Sequence, residues 1–340
     1  MSSSKVNYCW LDCDPGHDDA FAILLATHSP NIQLIGISTS AGNQTIEKTT
    51  RNALNMLNIF GLTDSNGLKY PLIKGSSKPL MRPGVICDEI HGESGLETHC
   101  GFKFPDIETH VQKHVDQMNN HENDIHFTTQ IYKYIKTSPQ PVTIISTGPL
   151  TNTALLLINY PDCVKYIDRV VLMGGACGYG NTGPAAEFNI QVDPEAAHIV
   201  FESNLKIVMV PLEVTHTALV KEDILERISM LNTNFSKLMI ELLLYFKSSY
   251  KDVFFMDDPP LHDPCAVAFI IDESLFDYRE MRVDIETASP LSYGQTVCDI
   301  YGMSKKRKNA HVCLKMNVEK FWSLIIDAIE KVNQNSPINN

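Results

Sequence analysis

Between positions 12 and 19 the chain reads Asp12-Cys13-Asp14-Pro15-Gly16-His17-Asp18-Asp19, four carboxylates in eight residues, directly after a short apolar strand and directly before a helix. Like charges this close raise one another's pKa and are costly to bury together. The density therefore calls for a bound cation, and a hard divalent metal is the natural candidate for an all-oxygen donor set. Side-chain alternation along a strand predicts that Asp12 and Asp14 point the same way. Pro15 suits a helix start, Gly16 permits a tight turn, and Asp18 and Asp19 fall near the first helical turn. A solvated helix N-terminus accommodates one or two acids through the macrodipole. Four acids around a Pro-Gly turn exceed that need, and the carboxyl end of a strand is where open α/β sheets place their ligands.

Composition narrows the partners. The 340 residues are 44% hydrophobic and 20% charged, with ample sequence for a large α/β core. A net charge of -12 argues against nucleic acid and anionic membrane surfaces as partners. The basic run Lys305-Lys306-Arg307-Lys308 reads as a solvated hairpin loop between two strand-like segments. Its length alone leaves a nuclear presence open. Nine scattered cysteines without a Cys-x-x-Cys pair read as a reduced set. No apolar signal region or bilayer-length apolar window is evident, so the expected location is cytoplasmic.

Apolar runs suited to buried parallel strands alternate with amphipathic stretches, the pattern of a doubly wound sheet. Strands are expected near Tyr8 to Cys13, Ile32 to Ser38, Leu72 to Lys74, Val142 to Ser146, Val170 to Met173 and Ile207 to Val210. Helices are expected over Asp18 to His28, Thr45 to Phe60, Phe127 to Ile135, Pro194 to Glu202 and Asn234 to Ser248. After His262 a helix precedes strand-like Met281 to Glu286, Thr296 to Tyr301 and Val312 to Met316, then a final helix from Val318 to Ile329. The prediction is an open, mostly parallel α/β sheet flanked by helices, completed by antiparallel strands near the C-terminus. With no low-complexity linker or repeat, one domain over residues 1–340 is expected. Two long segments lack a strong period, Gly75 to about Asn123 and Gly174 to about Val192, and such loops are often functional. The glycines of His91-Gly92-Glu93-Ser94-Gly95 suggest a mobile flap.

Other motifs are weaker. His262-Asp263-Pro264 can be a helix cap. Beside an acid cluster short of a distant ligand, Asp263 reads better as a metal carboxylate and His262 as an acid. Gly178-Tyr179-Gly180-Asn181-Thr182-Gly183 matches a dinucleotide fingerprint literally, but Pro184 follows it and no helix is expected to open there, so the match fails. His110 and His114, with His121 and His126 nearby, lack the glutamate of a zinc hydrolase motif and read as a solvated helix face.

Taken together the blocks resemble the inosine-uridine nucleoside hydrolase family. Its hallmark Asp-x-Asp-Pro-Gly-x-Asp-Asp-Ala stands here as Asp12 to Ala20. In family order come Thr39 to Thr45, Ile90 to Gly95, Thr147 to Asn152, Met173 to Gly175, Glu187 to Ile190, Asp193 to Ala197, and His262 to Pro264. The resemblance implies an open α/β fold, a bound Ca2+, and hydrolysis of the N-glycosidic bond of small-molecule ribonucleosides. It assigns metal carboxylates to Asp14, Asp19 and Asp263 and a metal-binding carbonyl to Thr147. Asp14 also becomes the general base. Asp18, Asn43, Asn181, Glu187 and Asn189 match the ribose-recognition set. His262 matches a leaving-group acid, with His91 and Tyr250 as helpers and Phe188 and Ile90 flanking the substrate. Phe246 stands where some relatives carry a tyrosine. The His91 flap favours the inosine- and uridine-accepting subgroup, with pyrimidine ribonucleosides, uridine first, as the expected substrates. The family pattern also implies a homodimer or homotetramer.

Two rival readings share the acidic turn. A haloacid-dehalogenase-like phosphatase also opens with Asp-x-Asp, but Pro15-Gly16 replaces its usual continuation and its phosphate-clamping blocks are missing. A non-catalytic nucleoside-binding module would be expected to lose the base or the metal carboxylates, yet Asp14, Asp19 and Asp263 are all present.

Overall fold

The computed structural model describes residues 6–119 and 126–339. Strand and helix alternate from the start: β1 (Asn7–Cys13) leads into α1 (His17–His28) and β2 (Ile32–Thr39) into α2 (Ile46–Ile59). The short pair β3 (Thr63–Asp64) and β4 (Gly67–Leu68) precedes β5 (Leu72–Lys74). Helices α3 (Asp88–His91), α4 (Thr109–Asn119) and α5 (Phe127–Thr137) then lead to β6 (Val142–Ser146), α6 (Thr151–Asn159) and β7 (Ile167–Met173). Next come α7 (Phe188–Val192), α8 (Pro194–Phe201), β8 (Lys206–Val210), α9 (Leu212–Thr215), α10 (Glu222–Ser229), α11 (Asn234–Phe254) and α12 (Pro264–Ile271). The remainder is β9 (Phe276–Met281), β10 (Val283–Ile285), β11 (Thr296–Cys298), β12 (Ala310–Met316) and α13 (Val318–Asn333). No helix among the described residues is long and apolar enough to cross a membrane.

Eight strands form the central sheet in the order β5-β2-β1-β6-β7-β8-β12-β9. All neighbours are parallel except β12 with β9. The chain builds outward from β1 in one direction through β2 and β5, then returns to the other side of β1 with β6. The order therefore reverses between β1 and β6. Such a switch point opens a crevice beyond the carboxyl ends of the two strands, because their following loops leave in opposite directions. Asp12 pairs with Ser146 across this junction, so Asp14 and Thr147, just past the two strand ends, flank the crevice.

Alternation along the strands supplies two apolar layers. Cys9, Leu11 and Cys13 join a core with α1, α11, α12 and α13, whereas Trp10 packs on the opposite face with Ile144, Val170 and Leu172. A helix buried against the sheet needs little amphipathicity: Asp18 through Ala26 of α1 are all buried.

The C-terminal strands depart from expectation. Met281 to Glu286 is not one strand. β9 ends at Met281, Arg282 is buried and ion-paired with Glu202 and Asp284, and β10 begins at Val283 in a separate two-stranded sheet with β11. Sequence reading missed most of β9 because Asp277 through Glu280 are exposed, which erases the period-2 signal of an edge strand. β12 is antiparallel only to β9; its other neighbour β8 runs parallel. Since β11 and β12 belong to different sheets, the Lys305 to Lys308 run joins two sheets and is not a hairpin loop. Helix α11 continues past Ser248 to Phe254, which brings Tyr250 onto a helix.

Candidate active site

Asp14, Asp18, Asp19 and Asp263 are all buried. One carboxylate oxygen from each of Asp18, Asp19 and Asp263 lies within 4.8 Å of the other two, the one such metal-competent grouping among the described residues. Asp19 accepts from Gly16 N at 3.0 Å, Asn43 Nδ2 at 3.1 Å and Thr147 Oγ1 at 2.8 Å. Asp14 Oδ2 accepts from Asn43 N at 2.7 Å. Asp14 Oδ1 is buried without a hydrogen-bond partner among the described residues.

Two glycines make room for Asp14. A Cβ at Gly148 would stand 2.4 Å from Asp14 Oδ1, and one at Gly42 would stand 2.1 Å from Oδ2. Asp12, in contrast, is not part of this group. Its carboxylate accepts from Ser38 Oγ and Asn152 Nδ2, on the side where Trp10 also donates to Ser38. The strand ends at Cys13, one residue before Asp14, and the two carboxylates take different partners, Asp12 accepting from Ser38 and Asn152 and Asp14 from the Asn43 backbone.

Burial and mutual charge push these acids upward. Desolvation, then the charge of Asp19, holds Asp14 well above the usual carboxylate range. Asp263 is raised well above it by desolvation and by Asp18, Asp19 and Asp14. Asp18 rises to about 7, from burial and then Asp19, and Asp19 rises chiefly from burial. Asp263 makes no capping hydrogen bond at the start of α12. Its carboxylate instead turns to Asp18 and Asp19, which removes the reading of His262-Asp263-Pro264 as a mere cap.

Above the acids lies a cavity of about 120 Å³, lined among others by Asp18, Asn43, His91, Asn181, Glu187, Phe188, Asn189, Tyr250, His262 and Asp263. All ten are residues singled out in the sequence. Glu187 caps α7, accepting from Gly175 N at 2.9 Å, Asn189 N at 2.9 Å and Ile190 N at 3.2 Å, and burial raises its pKa to about 7. Asn189 Nδ2 donates to the Thr147 carbonyl at 2.8 Å, and Asn181 Oδ1 accepts from Phe188 N at 2.9 Å. Helix α7 starts only after Glu187, and Asn181 N and Thr182 N both bond back to Ala186 O. The glycine-rich run before it therefore forms a folded loop and not a helix-opening phosphate cradle.

The opposite wall carries a hydrogen-bonded chain. Thr215 Oγ1 lies 2.7 Å from His262 Nδ1, and His262 Nε2 lies 2.7 Å from Tyr250 Oη. Burial holds His262 well below its usual pKa and Tyr250 well above its own. Burial thus disfavours charge on either group, and the pair joins a phenolic hydroxyl to an imidazole.

His17 was missed by sequence reading although it stands inside the acidic motif. It is buried, stacks on Tyr245 at 5.1 Å and Phe246 at 5.8 Å, and places Nδ1 3.2 Å from His91 Nδ1. Its Nε2 bonds Glu97 O at 2.8 Å. The signal was its position between Gly16 and Asp18. Thr215 left no signal, since only tertiary packing brings it to His262. Gly92 and Gly95 take φ of +72° and +82°, so these glycines serve turns. Gln44, Asn52 and Lys48 bond to the carbonyls of Gly92, Ser94 and Glu93, docking the segment expected to be a flap onto α2 and the loop before it. Of the scattered histidines, His110 is exposed and bonds Asp64 O at 2.7 Å, while His121 lies outside the described residues.

Fold and site thus define an open α/β protein with an acid nest at its switch point and a buried Tyr250–His262–Thr215 hydrogen-bonded chain beside one small cavity. A family model described as inosine-uridine preferring nucleoside hydrolase matches residues 9–323. A probable ribonucleoside hydrolase of Dictyostelium discoideum is 48% identical, the match covering 97% of this chain and 96% of that protein. The pyrimidine-specific ribonucleoside hydrolase RihA of Escherichia coli O8 (strain IAI1) is 42% identical, covering 94% and 97%. Among solved structures, the purine-preferring ribonucleoside hydrolase from Gardnerella vaginalis superposes with a TM-score of 0.83 at 27% identity, covering 96% of this chain and 99% of that one. The chain belongs to the inosine-uridine preferring nucleoside hydrolase family.

Proposed function

We propose that this ribonucleoside hydrolase prefers pyrimidine ribonucleosides, uridine first, and works with a calcium ion held in the acid nest. The observation that carries the reading is the nest of buried carboxylates Asp18, Asp19 and Asp263, on which the charge of Asp14 also bears, with Asp18, Asp263 and the hydrogen-bonded Tyr250–His262 pair lining one cavity. Four acids raised by burial, three of them also by neighbouring carboxylates, fit a divalent cation, which would favour their ionised forms. Asp14, Asp19, Asp263 and the Thr147 carbonyl would hold it, with Asp18 beside them; an all-oxygen set suits calcium's flexible coordination. When bound, the ion supplies positive charge that favours ionised ligands, binds vicinal hydroxyls and acidifies nearby water.

The residues divide the remaining work. Cleavage of the glycosidic bond builds positive charge on the ribose, which the ionised acids beneath it stabilise. Asp14 Oδ1 takes the proton of the attacking water. Asp18, Asn43, Asn181, Glu187 and Asn189 grip the sugar hydroxyls, while Phe188 and Ile90 pack on its apolar surfaces. On the far side the departing base takes the Tyr250 hydroxyl proton, the resulting phenolate accepts a hydrogen bond from His262 Nε2–H, and a proton from solvent restores the hydroxyl. His91 contributes from α3. Pyrimidine preference is supported by the higher identity to the pyrimidine-specific bacterial enzyme than to the purine-preferring one.

Ribose release from uridine, cytidine and inosine, measured with and without a strong chelator, tests the proposal. The expected ranking of kcat/KM is uridine and cytidine above inosine, with loss on chelation and in Asp14→Asn. Inosine as the best substrate would overturn the base preference, and chelator-insensitive turnover the metal. A homo-oligomeric state and a cytoplasmic location complete the reading; light scattering and cell fractionation test them.

A further inference from the structure

The two-stranded sheet of β10 and β11 stands apart from the central sheet, and neither the acid nest nor the Tyr250–His262 pair draws a residue from it. Thr296, the first residue of β11, is nevertheless buried. Its hydroxyl accepts from Ala176 N at 2.8 Å and donates to Ala176 O at 2.6 Å, so donor and acceptor are both engaged by one residue of the loop that follows β7. The rest of the small sheet braces neighbouring elements. Gly294 in its turn, with φ +85°, lies against α7, where a Cβ would stand 2.6 Å from Gln191 Cα. Val283 and Ile285 of β10 are buried in one core with Ala196, Ala197 and Val200 of α8.

The Thr296 bonds reach the cavity through a single peptide. Between Gly175 and Ala176 the carbonyl accepts from Leu212 N at 3.0 Å and the amide donates to Thr296, so the peptide plane is held at both of its polar atoms. The preceding amide, Gly175 N, donates to Glu187 Oε2 at 2.9 Å. Two further donors to Glu187, Asn189 N and Ile190 N, belong to the helix it caps. Gly175 therefore ties the Glu187 carboxylate to a part of the molecule outside its own helix. The approach is close: Gly175 takes φ +77°, and a Cβ there would stand 2.9 Å from Thr296 Cγ2 and 3.0 Å from Oγ1.

We propose that Thr296 is a positioning residue for ribonucleoside hydrolysis: by fixing the Gly175–Ala176 peptide it aims Gly175 N at Glu187 and so holds the Glu187 carboxylate toward the sugar. The inference rests on Glu187 contacting the ribose, the role given to it above. Thr296 itself does not line the cavity, whereas Glu187 does. A carboxylate held by backbone amides on both oxygens is set in place before substrate arrives, and loss of one donor leaves it to be ordered at the moment of binding. Removal of the Thr296 hydroxyl also leaves the Ala176 amide and carbonyl without their partner, so the peptide must move to find another.

The test is a double-mutant cycle on kcat/KM for uridine, built from Thr296→Val and Glu187→Gln in the full-length protein, each variant first checked for folding by circular dichroism. Valine keeps the shape of threonine without its hydroxyl. Thr296→Val is expected to lower kcat/KM by about 10-fold or more, and Thr296→Ser, which keeps the hydroxyl, to stay within about 2-fold of wild type. In the Glu187→Gln background Thr296→Val is expected to add less than about 2-fold, because its effect runs through the group already removed. Multiplied losses in the double variant, or a serine variant as poor as the valine one, would overturn the proposal. A loss in Glu187→Gln beside none in Thr296→Val refutes the positioning role alone. Unchanged kcat/KM in Glu187→Gln refutes the sugar contact, and the positioning role with it. Thr296→Ala takes the place of the valine variant if that one does not fold, and is read by the same cycle.

Discussion

The Tyr250 hydroxyl lies 2.7 Å from His262 Nε2, while the other ring nitrogen of His262 lies 2.7 Å from Thr215 Oγ1. If Thr215 donates to Nδ1, then Nε2–H donates to Tyr250, and the phenolic proton is free to point into the cavity. This orientation satisfies every atom of the chain and leaves one donor for the departing base.

Tyr250→Phe should therefore lower kcat for uridine by about 100-fold or more, the usual scale of general acid catalysis. The defect should nearly vanish with a p-nitrophenyl riboside, whose leaving group needs no proton. Equal losses on both substrates would exclude Tyr250 as the acid.

Removal of the cation should be visible without turnover. Calcium at about 100 times its Kd should stabilise the fold by about 2.7 kcal/mol, read as a rise of several degrees in Tm. Asp263→Asn should abolish that rise, since Asp263 closes the nest with Asp18 and Asp19.

Gly148→Ala places a methyl group 2.4 Å from Asp14 Oδ1. The carboxylate must rotate or the loop must shift, at a cost of about 1–3 kcal/mol. Activity should fall by far more than the loss of stability explains, and the measurement is kcat beside a urea unfolding curve. Normal kcat would show that the Asp14 position is not critical.

His17 sets a pH dependence of stability. Burial lowers its pKa from 6.5 to about 4. For a base with a depressed folded pKa, the unfolded chain binds the proton first as the pH falls. The stabilisation by neutral His17 is complete above pH 6.5 and is lost progressively toward pH 4. The stability gap between wild type and His17→Phe should thus shrink by about 2 kcal/mol between pH 7 and 4.5. Urea titrations of both proteins at the two pH values measure it, and the difference cancels titration of the acids. A constant gap would mean that His17 titrates normally.

The strands that frame the site were legible because they are buried on both faces and read as continuous apolar runs. β9 was not, because its exposed residues carry no period, and the break at Arg282 depends on ion partners remote in sequence. The acids of the site were legible for a related reason. Their density has no structural use, so Asp14, Asp18 and Asp19 stand out in one short segment, and the His262-Asp263 pair is recognisable beside them.

Sequence by itself determined the alternating strands and helices, the acidic motif and the family, because each is written in local order and spacing. Only the tertiary structure decided that Asp12 serves Ser38 and Asn152 while Asp14 accepts from the Asn43 backbone. It likewise decided that His17 stacks on Tyr245 and that Thr215 backs His262. The physical reason is that burial and hydrogen-bond partnership belong to pairs of residues far apart in the chain. Reversal of strand order between β1 and β6 brings those pairs together at one crevice.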